Sequence, residues 1–131
     1  MLKTIASNGY YDIAVDDAKN RIHLSIKGFW QTKDLVPYYI NDINEAVSLL
    51  KPGFSVLVNL TRMVSPTLEV SALHWEAQKL LVKSGSARSA EIVKDFLSMN
   101  MVEGYSAELG MPRRAFYDPG LAELWLDSLD E

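Results

Sequence analysis

The chain contains no cysteine, which removes disulfides, thiolate nucleophiles and zinc–thiolate sites together. A cationic excess is also missing: 13 Lys and Arg stand against 17 Asp and Glu, a net charge of −4. Neutralising phosphates over a broad nucleic-acid surface needs a concentrated set of Lys and Arg, so nucleic acid is not an expected partner. With two histidines, no HExxH motif and no clustered carboxylates, neither a metal centre nor a cofactor site is expected. No apolar run approaches the about 20 residues of a membrane-spanning helix, and the opening MLKTIASNGYYD lacks the apolar centre of a signal peptide. No integral membrane contact is expected, and the chain reads as cytoplasmic.

What is present fits one compact domain, residues 1–131. A chain of 131 residues with 48% apolar and 23% charged side chains buries roughly two thirds of the surface that its unfolded form exposes. No linker, repeat or low-complexity tract divides it.

The most informative stretch is FSVLVNL, residues 54–60, an almost unbroken apolar run that leads through a polar turn into Pro66. Continuous apolar character marks a strand covered on both faces, and the crevice beyond the C-terminal end of such a strand is the usual ligand position in a parallel sheet. Before it, residues 11–15 and 21–29 form a hairpin around a turn-rich segment, with Ile22, Leu24 and Ile26 on one face. His23, Ser25 and Lys27 lie on the other face, which reads as half solvated. A first helix falls within residues 32–51, with Val36, Ile40, Ile43, Val47 and Leu50 on one side and Pro37 pushing the regular start to 36 or 37.

Ser65 is placed to cap the second helix with Pro66 at its first position, and Val70, Leu73, Ala77, Leu80 and Leu81 form its buried stripe down to Lys83. A strand over 88–94, a helix over 96–109, a strand over 114–117 and a helix opened by Asp118 and Pro119 complete the pattern. Leu121, Leu124, Trp125 and Leu129 are the expected buried side of that last helix. Arg113 and Arg114 read as solvated. The alternation implies an α/β domain with right-handed crossovers: a mainly parallel mixed sheet, an N-terminal antiparallel hairpin and about four helices.

The hairpin, the helix TKDLVPYYINDINEAVSLL, the strand FSVLVNLT and the helix opened by SPTLEVSALHW together resemble the SpoIIAA-like or STAS domains of anti-sigma-factor antagonists. The resemblance spans nearly the whole chain. In the regulatory members the strand ends in an Asp-Leu-Ser type segment and leads to a phosphorylatable Ser or Thr before a Gly-Leu-Gly helix start. Here the stretch reads VNLTRMVSPTLEV: Asn59 replaces the acid, Ser65 and Thr67 lie near the phosphoacceptor position, and the glycines are missing. The pattern is most similar to divergent, stand-alone bacterial members. The resemblance implies a SpoIIAA-like fold and a regulatory role without catalysis.

The expected site is therefore the loop between the central strand and the second helix, where Asn59, Thr61, Arg62, Ser65 and Thr67 could hold an anion, a small ligand or a protein partner. Ser65 and Thr67 are the candidate phosphoacceptors. The alternative is a carrier of small apolar, lipid-like ligands, suggested by five Met and three Trp; Met99, Met101 and Met111 would line such a pocket or simply fill the core. Catalysis would rest on His74 with Glu69, Glu76 and Gln78, but Glu69 stands five residues from His74 and Glu76 two, so neither carboxylate shares its helix face. If Trp30, Tyr38 and Tyr39 are exposed together, they make a homodimer edge.

Overall fold

The computed structural model describes residues 2–64, 66–95 and 111–128. Six strands form one sheet in sequential order: β1 (Leu2–Ser7), β2 (Tyr11–Asp16), β3 (Arg21–Gly28), β4 (Ser55–Met63), β5 (Arg88–Ile92) and β6 (Arg113–Phe116). The first three pair antiparallel, and β3 to β6 pair parallel. The expected hairpin is thus the β2–β3 half of a three-stranded meander. LKTIAS, which alternates weakly, forms its outer strand, an element that periodicity missed.

Three helices are present among the described residues: α1 (Tyr39–Ser48), α2 (Leu68–Lys83) and α3 (Pro119–Asp127), with a 3-10 turn at Lys33–Leu35 before α1. The helix expected over 96–109 lies outside the described residues. Pro37 sits before α1, which begins two residues beyond it, because a proline cannot donate within a helix. At its far end α2 stops at Gly85, whose φ of +101 and close approach to Pro52 exclude a side chain. No helix among the described residues is long and apolar enough to cross a membrane.

Strand register decides which residues share a face. Tyr11, Ile13, Val15, Ile22, Leu24, Ile26, Val56 and Val58 point to one side and pack with Ile43 and Ala46 of α1 and Val70, Ala77 and Leu81 of α2 into the main core. Leu57, Ala90 and Ile92 point to the opposite side and meet Ala122 and Leu126 of α3. The expected stripe of α3 is corrected accordingly: Leu121 and Leu124 are exposed, and Leu129 lies outside the described residues. Polar docking rotates the helix. Arg21, buried to 1% exposure, donates to Ser55 (2.8 Å), to Glu123 (3.3 Å) and to Asp127 (2.8 Å), and Ala122 allows α3 close to the sheet.

α3 covers β4 to β6 and Arg21 at the start of β3, and the rest of the outer face of β2 and β3 carries mainly polar side chains, as expected for a half-solvated hairpin. His23 is nonetheless half-buried rather than exposed, and burial lowers its pKa. Arg113 is also not solvated. It is buried against the carboxylate of Glu91 on the neighbouring strand, whereas Arg114 is exposed.

Candidate functional site

β4 is the interior strand anticipated from its composition, paired parallel to β3 on one side and β5 on the other. Near its C-terminal end the ladder changes step. Ser25 pairs with Asn59, but Lys27 pairs with Arg62, so β4 carries one residue more than β3 across this interval. This is a β-bulge, and a bulge re-aims the side chains that follow it. In a regular ladder Thr61 would stand opposite Lys27 and Arg62 would point at the helices. The bulge instead puts Arg62 beside Lys27 on the outer face and returns Met63 to the main core.

Asn59 holds this irregularity in place. Its Oδ1 accepts the Thr61 backbone N–H at 3.0 Å and the Thr61 hydroxyl at 2.7 Å, which satisfies groups that the broken ladder leaves over. The amide nitrogen of Asn59 remains available to the outer face. There, Asp12, Ser25, Ile26, Lys27, Asn59 and Arg62 line a depression of about 90 Å3. The Lys27 ammonium lies 3.0 Å from Asp12, which also accepts from Ser7 at 2.7 Å. The Ser7 hydroxyl, Lys27 and Arg62 together hold the Asp12 carboxyl below the usual range.

Thr67 belongs to a different part of the rim. It caps α2, accepting the Val70 N–H at 3.3 Å, and its hydroxyl donates to the Gln31 carbonyl at 3.2 Å. A cap of this kind contributes about 1 kcal/mol. The expected cap and helix start at Ser65 and Pro66 are corrected by this geometry: α2 opens at Leu68, two residues later, and Ser65 itself lies outside the described residues. Glu69 accepts the Lys33 N–H at 2.7 Å, and Val64 donates to the Gly28 carbonyl at 3.0 Å. These bonds lace the segment after β3 to the segment after β4. Along the resulting rim, Leu68 is 91% exposed, Val64 49% and Phe29 45%.

The four expected site residues that are described therefore do not converge, and Ser65 lies outside the described residues. Asn59 and Arg62 share the depression, Thr61 fastens the bulge, and Thr67 ties two loops together. Sequence reasoning missed Asp12, Ser25 and Lys27 as their companions. The one available signal was the polar phase of β3, since register across β3 and β4 is a tertiary property.

The aromatic edge does not form. Trp30 and Tyr39 are core residues, and only Tyr38 of the three is exposed. Tyr11, Trp30 and Tyr39 instead cluster at ring separations of 5.0 to 5.9 Å, anchored by the Trp30 indole N–H on the Tyr10 and Lys27 carbonyls and the Tyr11 hydroxyl on Asp42. His74 joins them at 4.9 Å from Trp30, and burial pushes its pKa down to about 4. Glu69 is committed to the Lys33 loop. Among the described residues no group of three His, Cys, Asp or Glu is arranged to hold a metal ion. Met111 is buried with its sulfur against Ser86, and Met99 and Met101 lie outside the described residues.

No family model and no curated protein sequence matches the chain. Among solved structures it is similar to an uncharacterized protein of the DUF3478 family from Shewanella loihica PV-4, which has a SpoIIAA-like fold. The two share 16% identity at a TM-score of 0.69, over 92% of this chain and 97% of that one.

Proposed function

We propose that this SpoIIAA-like domain is a non-catalytic regulatory module that binds a protein partner through the rim where β4 gives way to α2. The carrying observation is the set of large apolar side chains held in solvent there. Leu68 is almost wholly exposed at the first position of α2, and Val64, which follows β4, and Phe29, which follows β3, are exposed as well. Hydrogen bonds of Thr67 and Glu69 fix the backbone beneath them, so a partner meets a surface that is already ordered. Lys27, Lys33 and Arg62 flank this rim. The complementary surface is apolar at its centre and acidic at its edge.

Thr67 is the natural point of control within this reading. A phosphoryl group on its hydroxyl would remove the bond donated to Gln31 while placing negative charge at a helix N-terminus. The carrier reading needs an enclosed apolar cavity to support it. A depression of about 360 Å3 beside Leu2, Lys3, Val15, Asp17 and Leu49 is a surface groove at exposed Leu2 and Leu49.

A photoreactive benzophenone side chain substituted at Leu68 tests the proposal in the native cell. A discrete cross-linked protein from position 68, absent from the same probe at exposed Lys79, is the expected result. Equal labelling from both positions would contradict it.

A further inference from the structure

We propose that the depression on the outer face of β3 and β4 is a phosphate site, taking inorganic phosphate or the phosphoryl group of a partner. It deepens the binding role proposed for this end of β4, and rests on that role only for the source of the phosphoryl group.

Three observations converge. The first is charge. Lys27 and Arg62 are direct neighbours across parallel strands on one face, an arrangement of like charges that destabilises a sheet. Asp12 offsets one of the two, through its 3.0 Å contact with Lys27, so one positive charge is left over in a protein whose net charge is −4. A bound oxyanion completes the neutralisation.

The second is donor number. Lys27, the Arg62 fork, the Ser25 hydroxyl and the Asn59 amide all border the same 90 Å3 space. The Asn59 oxygen is committed twice to Thr61, which turns its NH2 group into the free end. Four kinds of donor around a small volume suit a tetrahedral anion with four oxygens, and charge-assisted bonds to Lys and Arg are the strong ones. The third is the bulge. It is the device that brings Arg62 to this face at all, and bulges that re-aim a side chain cluster next to binding sites. The bulge returns Met63 to the main core, but without a ligand for Arg62 it does so at the cost of placing a cation beside a cation.

Asp12 is then a built-in competitor. Its carboxylate occupies Lys27 and repels an incoming anion, so the two neighbouring charges act on affinity in opposite directions.

The test is an amide NMR titration of the whole protein with inorganic phosphate at low ionic strength, repeated with O-phosphoserine, with chloride as the control. Saturable shifts confined to Ser25, Lys27 and residues 59–62 are expected. Arg62→Gln should weaken binding roughly tenfold, the loss of one charge-assisted contact, and Asp12→Asn should strengthen it. Both side chains are on the surface, so both variants remain folded, with unchanged amide spectra away from the site as the check. Saturation by phosphate alone identifies a free anion as sufficient, whereas tighter binding of phosphoserine points to a modified partner; either supports the site. Shifts that chloride reproduces, that fail to saturate, or that ignore Arg62→Gln would overturn it. The cross-linking at Leu68 does not involve this depression, so failure here and failure of the rim proposal are separately visible.

Discussion

Replacing Arg113 by methionine is expected to cost the fold about 3–5 kcal/mol, because it strands a carboxylate that has almost no access to water. Glu91 and Arg113 have side-chain exposures of 2% and 6%, and they face each other across β5 and β6. Burial raises the Glu91 carboxyl above its usual range, while the Arg113 charge and hydrogen bond pull it back down. Without the arginine only the raising influence remains. Glu91 then takes up a proton in the folded state more readily than in the unfolded state, so the deficit of the variant should shrink as pH falls.

Adding Glu91→Leu to Arg113→Met should recover most of the loss, since an apolar pair of similar volume avoids desolvating two charges. Urea unfolding of the wild type, each single variant and the double variant measures this as a cycle. Equal and additive losses from the two single changes would mean that the pair is not the coupled, buried unit described above.

His74 supplies the second large effect, this time on the dependence of stability on pH. Its pKa is depressed from 6.5 to about 4 by burial against Trp30 and Tyr39. Between those values the unfolded chain binds the proton and the folded protein resists it. The stabilisation is complete above the unfolded value and is lost as pH falls towards 4, by about 3 kcal/mol in total. His23 acts in the same direction, and Asp12 and Asp127 lose their depressed ionisation only at lower pH. A His74→Phe variant keeps the ring packing and removes the titration. Its denaturant midpoints should therefore fall less steeply on acidification than those of the wild type. Parallel curves from about pH 7 to pH 4 would show that His74 is not desolvated.

Much of the architecture could be read from composition and period. The run 54–60 sits where its two-sided apolar character puts it, between two parallel neighbours, and the stripe of α2 is buried at Val70, Ala77 and Leu81. Local signals were less decisive where tertiary contacts decide orientation. α3 turns away from its most apolar side because Arg21 pulls Glu123 and Asp127 inward. Trp30 and Tyr39 look like an exposed aromatic edge in a sequence crowded with aromatics, yet their rings close the core beneath the rim.

The site was only partly legible for a related reason. Arg62 was identifiable because it lies at the C-terminal end of an apolar strand, and Asn59 because it stands where the resembled domains carry an acid. Their roles were not, since a bulge is a disagreement between two strands and appears only when both are paired. Lys27 and Asp12 enter the site through that pairing, from positions more than thirty residues away in the chain. Thr67, an apparent binding hydroxyl, turned out to be occupied with Gln31 and Val70.

The central claim is that hydrogen bonds of Thr67 and Glu69 hold the rim ready for a partner, and a Thr67→Val, Glu69→Ala variant addresses it directly. It removes the bonds to Gln31, Val70 and Lys33, with the lost cap costing about 1 kcal/mol. The benzophenone probe at position 68, read in the native cell on this background, is predicted to lose its discrete cross-link although the protein remains folded. A cross-link of undiminished yield would contradict the claim that these bonds organise the binding rim.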